Sequence, residues 1–182
     1  KAPMNLPIQP PYPPMEALSV EEIPTGEHWQ YEPKWDGFRC LAFRDGDEVQ
    51  LQSKAGQPLA RYFPELVEAV KVLAPKKFVL DSEIAIPVGQ KLSFEDLQLR
   101  LHPAESRVRK LAAATPAIMI VFDLLVDEKG KSLMEEPLEN RRAKLQAFAA
   151  KHFDKDGSIF LSPATTHLKI ANFGNDIFLP DP

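Results

Sequence analysis

A sharp turn flanked by two strand-like segments constrains the fold more than any other feature of the chain. Residues 38–44 alternate loosely between apolar and polar side chains, and residues 48–53 do so again. The three residues 45–47 (Asp-Gly-Asp) between them are a strong turn signal. The pattern therefore predicts an antiparallel hairpin in the first third of the sequence.

The remaining elements do not alternate as regular βαβ units. Apolar side chains at helical spacing predict a helix over residues 63–73, and residues 77–86 predict a strand. Residues 118–125 form an apolar run, so we expect a strand that is buried on both faces. A helix over residues 137–153 and a short strand at residues 159–161 follow. This order favours an α+β fold with mainly antiparallel sheets flanked by helices.

Two shorter elements are also predicted. Residues 29–34 can enter a strand just before the hairpin. Ser93 followed by Asp96 resembles a capping box, which predicts a short helix with Phe94, Leu97 and Leu101 turned inward.

The N-terminal segment is rich in proline. Residues 1–14 contain six prolines, and because proline lacks an N–H and restricts its neighbour, we expect extended chain here. Residues 1–25 are predicted to be a strap lying on the domain or a linker from a preceding domain.

Composition narrows the class of protein. A single cysteine excludes an internal disulfide and a Cys-based metal site. No stretch is apolar enough to cross a bilayer and no signal peptide is visible, so a cytoplasmic monomer is the default expectation. The formal net charge of −4 is unusual for a domain that grips nucleic acid through a broad surface. Either basic residues cluster locally or another domain supplies the grip.

Residues 32–39 (EPKWDGFR) carry the clearest chemical signal. A lysine amine becomes a nucleophile only when it is neutral, and a neighbouring cation such as Arg39 favours the neutral form of Lys34. Gly37 permits a tight turn and close approach of the backbone to a phosphate. Taken alone, this short pattern is also typical of a surface turn with scattered charges.

Further motifs follow in a fixed order. Together they resemble the covalent nucleotidyltransferases, which include ATP-dependent DNA ligases, RNA ligases and mRNA capping enzymes, and the resemblance implies an ATP-grasp-like nucleotidyltransferase fold. Lysine replaces the family's arginine at residue 54, and serine replaces glycine at residue 82. The matching segments are residues 34–39 (KWDGFR), 53–56 (SKAG), 63–66 (FPEL), 80–83 (LDSE) and 122–125 (FDLL).

The resemblance implies roles for the basic residues. Lys34 would attack the α-phosphate of ATP, expel pyrophosphate and hold AMP as a phosphoramidate. Arg39 would contact the ribose or the phosphates, and Lys54 would touch phosphate, although lysine lacks the bidentate geometry of arginine. Mg²⁺ is expected because phosphoryl-type transfer needs cations where negative charge accumulates.

The resemblance also implies roles for three other residues. Glu32 would help to read the adenine edge, and Phe122 would stack on the adenine ring. Glu83 would bind the ribose hydroxyls and help to place a metal ion. Without the motif order, Phe122 would be interpreted as core and Glu83 as a solvated strand residue.

The resemblance covers roughly residues 6–164, so residues 26–164 are predicted to form the nucleotidyltransferase domain. Residues 165–182 diverge from the family pattern. They contain neither the expected Glu-Gly pair nor the later K-x-K pair, and no OB-fold domain follows. The chain is a fragment, a set of joined segments or a natural truncation, and a complete ligation cycle by this chain alone is not expected.

An adenylation domain of an ATP-dependent DNA ligase is thus predicted. Residues 10–15 and 94–100 are similar to bacterial ligases of the end-joining type, so nicked or broken DNA and other end-joining proteins are the expected partners, with no membrane. An RNA ligase or capping enzyme is one alternative, and SKAG, FPEL and FDLL argue against a capping enzyme. A non-catalytic module that binds nucleotide or a repair partner is the other.

Overall fold

The computed structural model describes residues 2–167, and a five-stranded sheet forms its centre. The strand order is β2-β1-β3-β6-β7, antiparallel throughout except for the parallel pair β6–β7. This confirms the predicted α+β class. The strands are β1 (Phe38–Asp45), β2 (Glu48–Ser53), β3 (Lys77–Ala85), β6 (Ile118–Val126) and β7 (Ile159–Leu161), and a separate small hairpin pairs β4 (Pro87–Val88) with β5 (Lys91–Leu92).

The predicted hairpin forms where the turn signal stands. Asp45, the last residue of β1, pairs with Glu48, the first residue of β2. Gly46 between them has a φ of 59°, a left-handed conformation that glycine adopts readily. The Gly46 amide donates to the carbonyl of Lys76, which ties this turn to the start of β3.

Four α-helices and one 3₁₀ turn join the strands. They are the 3₁₀ turn Ala60–Tyr62, α1 (Pro64–Lys71), α2 (Phe94–Leu99), α3 (Glu105–Ala114) and α4 (Leu138–His152). Pro64 opens α1, as its fixed φ and missing N–H suit a first turn. The Ser93 hydroxyl accepts from the Asp96 amide and caps α2, whereas the Ser93 amide donates to Ile86, so only half of the predicted capping box forms.

One face of the sheet carries the main hydrophobic core. Alternate side chains of β1, β3 and β6 pack there against α1, α2 and α4, because residues two apart on a strand share a face. Leu66 of α1, Leu97 of α2 and Leu145 of α4 are fully buried in this core.

Apolar side chains cover the opposite face at its two ends. At one end Met4, Leu6 and Ile8 of the N-terminal segment pack against Leu41 and Phe43 of β1. At the other end a small apolar cluster formed by Ala85, Ile118 and Ile120 is covered by residues that include Trp35, Leu92 and Phe160. A band of polar side chains lies between these two covered ends.

Two local predictions were wrong, and one helix was not predicted. Residues 29–34 form no strand and contribute one isolated bridge, between Tyr31 and Thr165. Of the three side chains expected to turn inward around α2, only Leu97 is buried. Leu101 is exposed because α2 ends at Leu99, and Phe94 keeps only an edge contact with the Phe38 ring. The sequence also gave no sign of α3, which buries only Val108.

Candidate functional site

The polar band begins where Gly37 passes across β3. A Cβ built on Gly37 would lie 2.1 Å from the carbonyl oxygen of Ile84, so no other residue fits here without moving the strand. The Gly37 amide donates to Oε1 of Glu83 at 3.1 Å. Glycine is therefore needed for close packing of the motif onto β3. This packing lets the Gly37 amide orient the Glu83 carboxylate.

Glu83 is a half-buried carboxylate with an unusual pKa. Burial raises its pKa to about 7, and the hydrogen bond from Gly37 and the charge of Arg39 oppose this rise only in part. Arg39 lies directly opposite Glu83 in the register of β1 and β3. A carboxylate that is costly to ionise is thus placed beside a fixed cation.

Arg39 forms a bidentate ion pair with Asp81. Its Nε and one terminal nitrogen lie 2.6 and 2.7 Å from the two carboxylate oxygens of Asp81, which is almost fully buried. These bonds are the main cause of the raised pKa of Arg39. The guanidinium also lies over the Phe122 ring, 5.0 Å from its centroid. Arg39, Asp81 and Phe122 therefore form one compact unit.

Met15 and Glu16 of the N-terminal segment contact two of the motif cations, Arg39 and Lys54. Arg39 donates to the carbonyl of Met15 at 2.9 Å. Lys54 Nζ lies 3.7 Å from a carboxylate oxygen of Glu16, an exposed ion pair that contributes little to stability. Upstream, the amide of Tyr12 donates to the side chain of Gln52, which donates back to the Tyr12 carbonyl.

An open cleft of about 760 Å³ lies beside Arg39 and Glu83. Residues from three of the motifs line it, namely Gly37, Arg39, Lys54 and Glu83, and Leu101 is part of its wall. A cleft of this size suits a small-molecule ligand such as a nucleotide.

Three predicted site residues do not line the cleft, namely Glu32, Lys34 and Phe122. Glu32 and Lys34 are exposed, and Phe122 is half-buried. The pKa of Glu32 is raised because surrounding protein desolvates its carboxylate, an effect that the charge of Arg142 opposes. Arg142 is buried in α4, and burial in turn lowers its own pKa. The charges of Glu32 and Arg142 therefore attract each other.

Other motif residues stabilise the scaffold. Ser82 is fully buried and its hydroxyl donates to the carbonyl of Cys40 at 2.8 Å, so serine is well accommodated at the family's glycine position. Glu65 of FPEL forms a bidentate pair with the buried Arg100. Asp123 of FDLL pairs with Arg141 of α4 at 3.0 Å.

Sequence reasoning missed the residues that hold the predicted ones in place. Asp81 and Arg142 are the main examples, and neither has a local signal that identifies its partner. Within residues 2–167, no group of three or more His, Cys, Asp or Glu side chains could hold a metal ion. No helix in that part of the chain is long and apolar enough to span a membrane.

Comparison with known proteins decides the family. The model of the ATP-dependent DNA ligase domain matches residues 14–169. The chain belongs to the ATP-dependent DNA ligase family. It is 49% identical over 173 residues to DNA ligase C of Mycobacterium tuberculosis, and 49% identical over 172 residues to DNA ligase C2 of Mycolicibacterium smegmatis. Both alignments cover 92% of this chain and 46% of the relative, so the chain spans about half the length of these ligases.

Solved ligase structures share the fold. The ligase domain of M. tuberculosis LigD superposes with a TM-score of 0.56 at 25% identity, covering 75% of this chain and 40% of that one. A mycobacterial DNA ligase D complexed with ATP and MES gives a TM-score of 0.55 at 25% identity, with the same coverage. The predicted family and the nucleotidyltransferase fold are thereby confirmed. Of the predicted divergent tail, residues 165–182, the part from residue 168 onward lies outside the described residues.

Proposed function

We propose that this chain is the adenylation domain of a DNA ligase that transfers AMP from ATP to Lys34 for the joining of DNA nicks or ends. Besides membership of the family, one structural observation supports the proposal. Arg39, Glu83 and Phe122 come from three different strands and lie close together in the polar band of the sheet, where Arg39 is opposite Glu83 and lies over the Phe122 ring.

The proposed reaction is a nucleotidyl transfer. The neutral amine of Lys34 attacks the α-phosphorus of ATP, a P–N bond forms, and the bond to the bridging oxygen of the β-phosphate breaks. Pyrophosphate leaves and the amine gives its proton to solvent. Arg39 and Lys54 face the cleft as cations that can stabilise the charge on the phosphate oxygens.

The base and the sugar have separate proposed partners. Phe122 is half-buried, and we assign its aromatic ring to stacking on adenine. The Arg39 guanidinium lies over this ring and holds it in place. Glu32 would accept from the exocyclic amine of adenine, and Glu83 would accept from the ribose hydroxyls. The hydrogen bond from Gly37 supports the role of Glu83, since it fixes one carboxylate oxygen.

Mg²⁺ is part of the proposal, and Glu83 is its candidate protein ligand. Mg²⁺ commonly takes one or two carboxylates together with substrate phosphates and water, so a single carboxylate at the cleft fits this ion. When bound, Mg²⁺ would neutralise charge on the phosphates of ATP. Burial raises the pKa of Glu83 to about 7, and a bound Mg²⁺ would favour the ionised carboxylate.

DNA is the proposed acceptor of the adenylyl group, with other end-joining proteins as partners in a cytoplasmic setting. The relatives that this chain matches are named DNA ligases, which favours DNA over RNA ends or caps. The chain has a net charge of −4, so we assign most of the grip on DNA to other parts of the ligase.

Incubation with α-labelled ATP or α-labelled GTP in the presence of Mg²⁺ tests the proposal. We expect acid-labile label on the protein from ATP and none from GTP. Label from GTP alone would overturn the proposal in favour of a capping-type activity. Saturable ATP binding without covalent label would instead support a non-catalytic nucleotide-binding module.

A further inference from the structure

The stretch that carries Lys34 is held in place by the segment that follows β7. Tyr31 and Thr165 exchange two backbone hydrogen bonds, with N···O distances of 2.7 and 3.0 Å. This isolated bridge is the only regular pairing that residues 29–36 make within residues 2–167. It fixes the chain three residues before Lys34.

A side-chain hydrogen bond fixes the chain immediately after Lys34. The indole Nε1 of Trp35 donates to the hydroxyl oxygen of Ser162 at 2.9 Å. The Trp35 ring also packs against the small cluster that contains Ala85 and Ile120. An apolar contact alone would let the indole slide, whereas the hydrogen bond selects one orientation.

Ser162 is itself fixed from two directions. It is completely buried, and its amide donates to the carbonyl of Val121 at 2.7 Å. Its carbonyl accepts from the buried guanidinium of Arg142 at 2.8 Å. Val121 precedes Phe122 in β6, so the position of the Ser162 hydroxyl is tied to the strand that carries the proposed adenine-stacking ring.

We propose that Ser162 is a positioning residue for Lys34, acting through Trp35. The inference rests on the proposed role of Lys34 as the nucleophile. The hydrogen bond to Trp35 sets the backbone beside Lys34 relative to Phe122, and so sets the distance from the lysine amine to the α-phosphate of a bound nucleotide. Misplacement of a reacting group by about 1 Å can cost up to about 100-fold in rate.

Three variants test this role: Ser162→Ala, Trp35→Phe, and the two combined. Each single change removes the hydrogen bond and keeps most of the packing, so we expect the rate of lysyl-AMP formation to fall about 10-fold with an unchanged KM for ATP. The combined variant should be no slower than either single one, because the same interaction is lost. Trp29→Phe alters an indole at the surface and should keep the wild-type rate.

Two kinetic outcomes would overturn the inference. One is a wild-type rate in Ser162→Ala. The other is additive loss in the combined variant, which would show that the two side chains act independently. Thermal unfolding of each variant separates these effects from a general loss of stability.

Amide hydrogen exchange tests the positioning role without any need for catalysis. In Ser162→Ala we expect exchange at the hydrogen-bonded amides of Tyr31 and Gly37, which flank Lys34, to accelerate about 10-fold, with exchange in β1 unchanged. Unchanged exchange at these two amides would overturn the inference. If the wild-type chain forms no lysyl-AMP, the proposed function fails while this measurement still decides whether Ser162 orders the segment.

Discussion

Gly37 is the residue at which the motif and the fold depend most closely on each other. In Gly37→Ala the new methyl group would lie 2.1 Å from the carbonyl of Ile84, so β1 and β3 would have to separate. We expect a loss of about 2–3 kcal/mol in the free energy of unfolding, measured by urea denaturation. The matched control is Gly157→Ala, whose Cβ would meet the carbonyl of Asp154 at 3.2 Å and needs only a small shift. Equal losses in both variants would contradict this account.

Glu83 should make stability depend on pH. Its folded pKa of about 7 lies above the ordinary value of 4.5, so the folded state binds the proton more tightly than the unfolded state does. Its contribution is therefore most favourable below about pH 4.5 and is lost as pH rises through 7. Glu83→Gln removes this loss while keeping an acceptor for Gly37.

We expect Glu83→Gln to match the wild type at pH 4.5 and to be more stable at pH 8, by at most about 3 kcal/mol. Urea denaturation of both proteins across this range provides the measurement. Parallel pH profiles for the two proteins would show that the Glu83 carboxylate is not destabilised by burial.

Candidate site residues could be proposed from the sequence, but their partners in the structure could not. Arg39 was predicted to contact ribose or phosphates, and the structure shows its guanidinium bound to Asp81, 42 residues away. That pairing depends on the register of β1 against β3, which no local pattern specifies. The predicted roles of all six candidate site residues stay predictions, namely those of Glu32, Lys34, Arg39, Lys54, Glu83 and Phe122.

At the scale of elements, we expect the packing of the N-terminal segment on the sheet to contribute to stability. Leu6 is 7% exposed and packs in the cluster with Leu41 and Phe43, so Leu6→Ala should cost about 2–4 kcal/mol in the free energy of unfolding. Leu18→Ala is the matched control, since Leu18 is 91% exposed, and it should change stability by less than about 0.5 kcal/mol. Chemical denaturation of both variants distinguishes a packed segment from a loosely attached one.

Elements with strong local signals were predicted within one or two residues. The hairpin, the strand at residues 77–86 and the helix at residues 137–153 each combine apolar periodicity with a turn or a proline boundary. Helix α3 was missed because only Val108 is buried, so its sequence carries almost no apolar stripe. The docking of residues 4–8 was equally hidden, since extended proline-rich chain shows no periodicity.

At the scale of the whole molecule, the two faces of the sheet differ in what covers them. The helices bury one face and provide the core, whereas the other face is covered at both ends and left polar in the middle. The proposed nucleotide site occupies that middle band, with the segment of Lys34 at one end and residues Met15 and Glu16 at the other. The relatives extend well beyond the part that this chain spans.

The most direct test of this account is to locate AMP on the chain by peptide mass spectrometry after incubation with ATP and Mg²⁺. The account predicts one acid-labile adenylyl group on Lys34, absent from Lys34→Arg and retained in Lys110→Arg, which changes an exposed lysine of α3. AMP on a different lysine, or bound ATP with Lys34 unmodified, would contradict it.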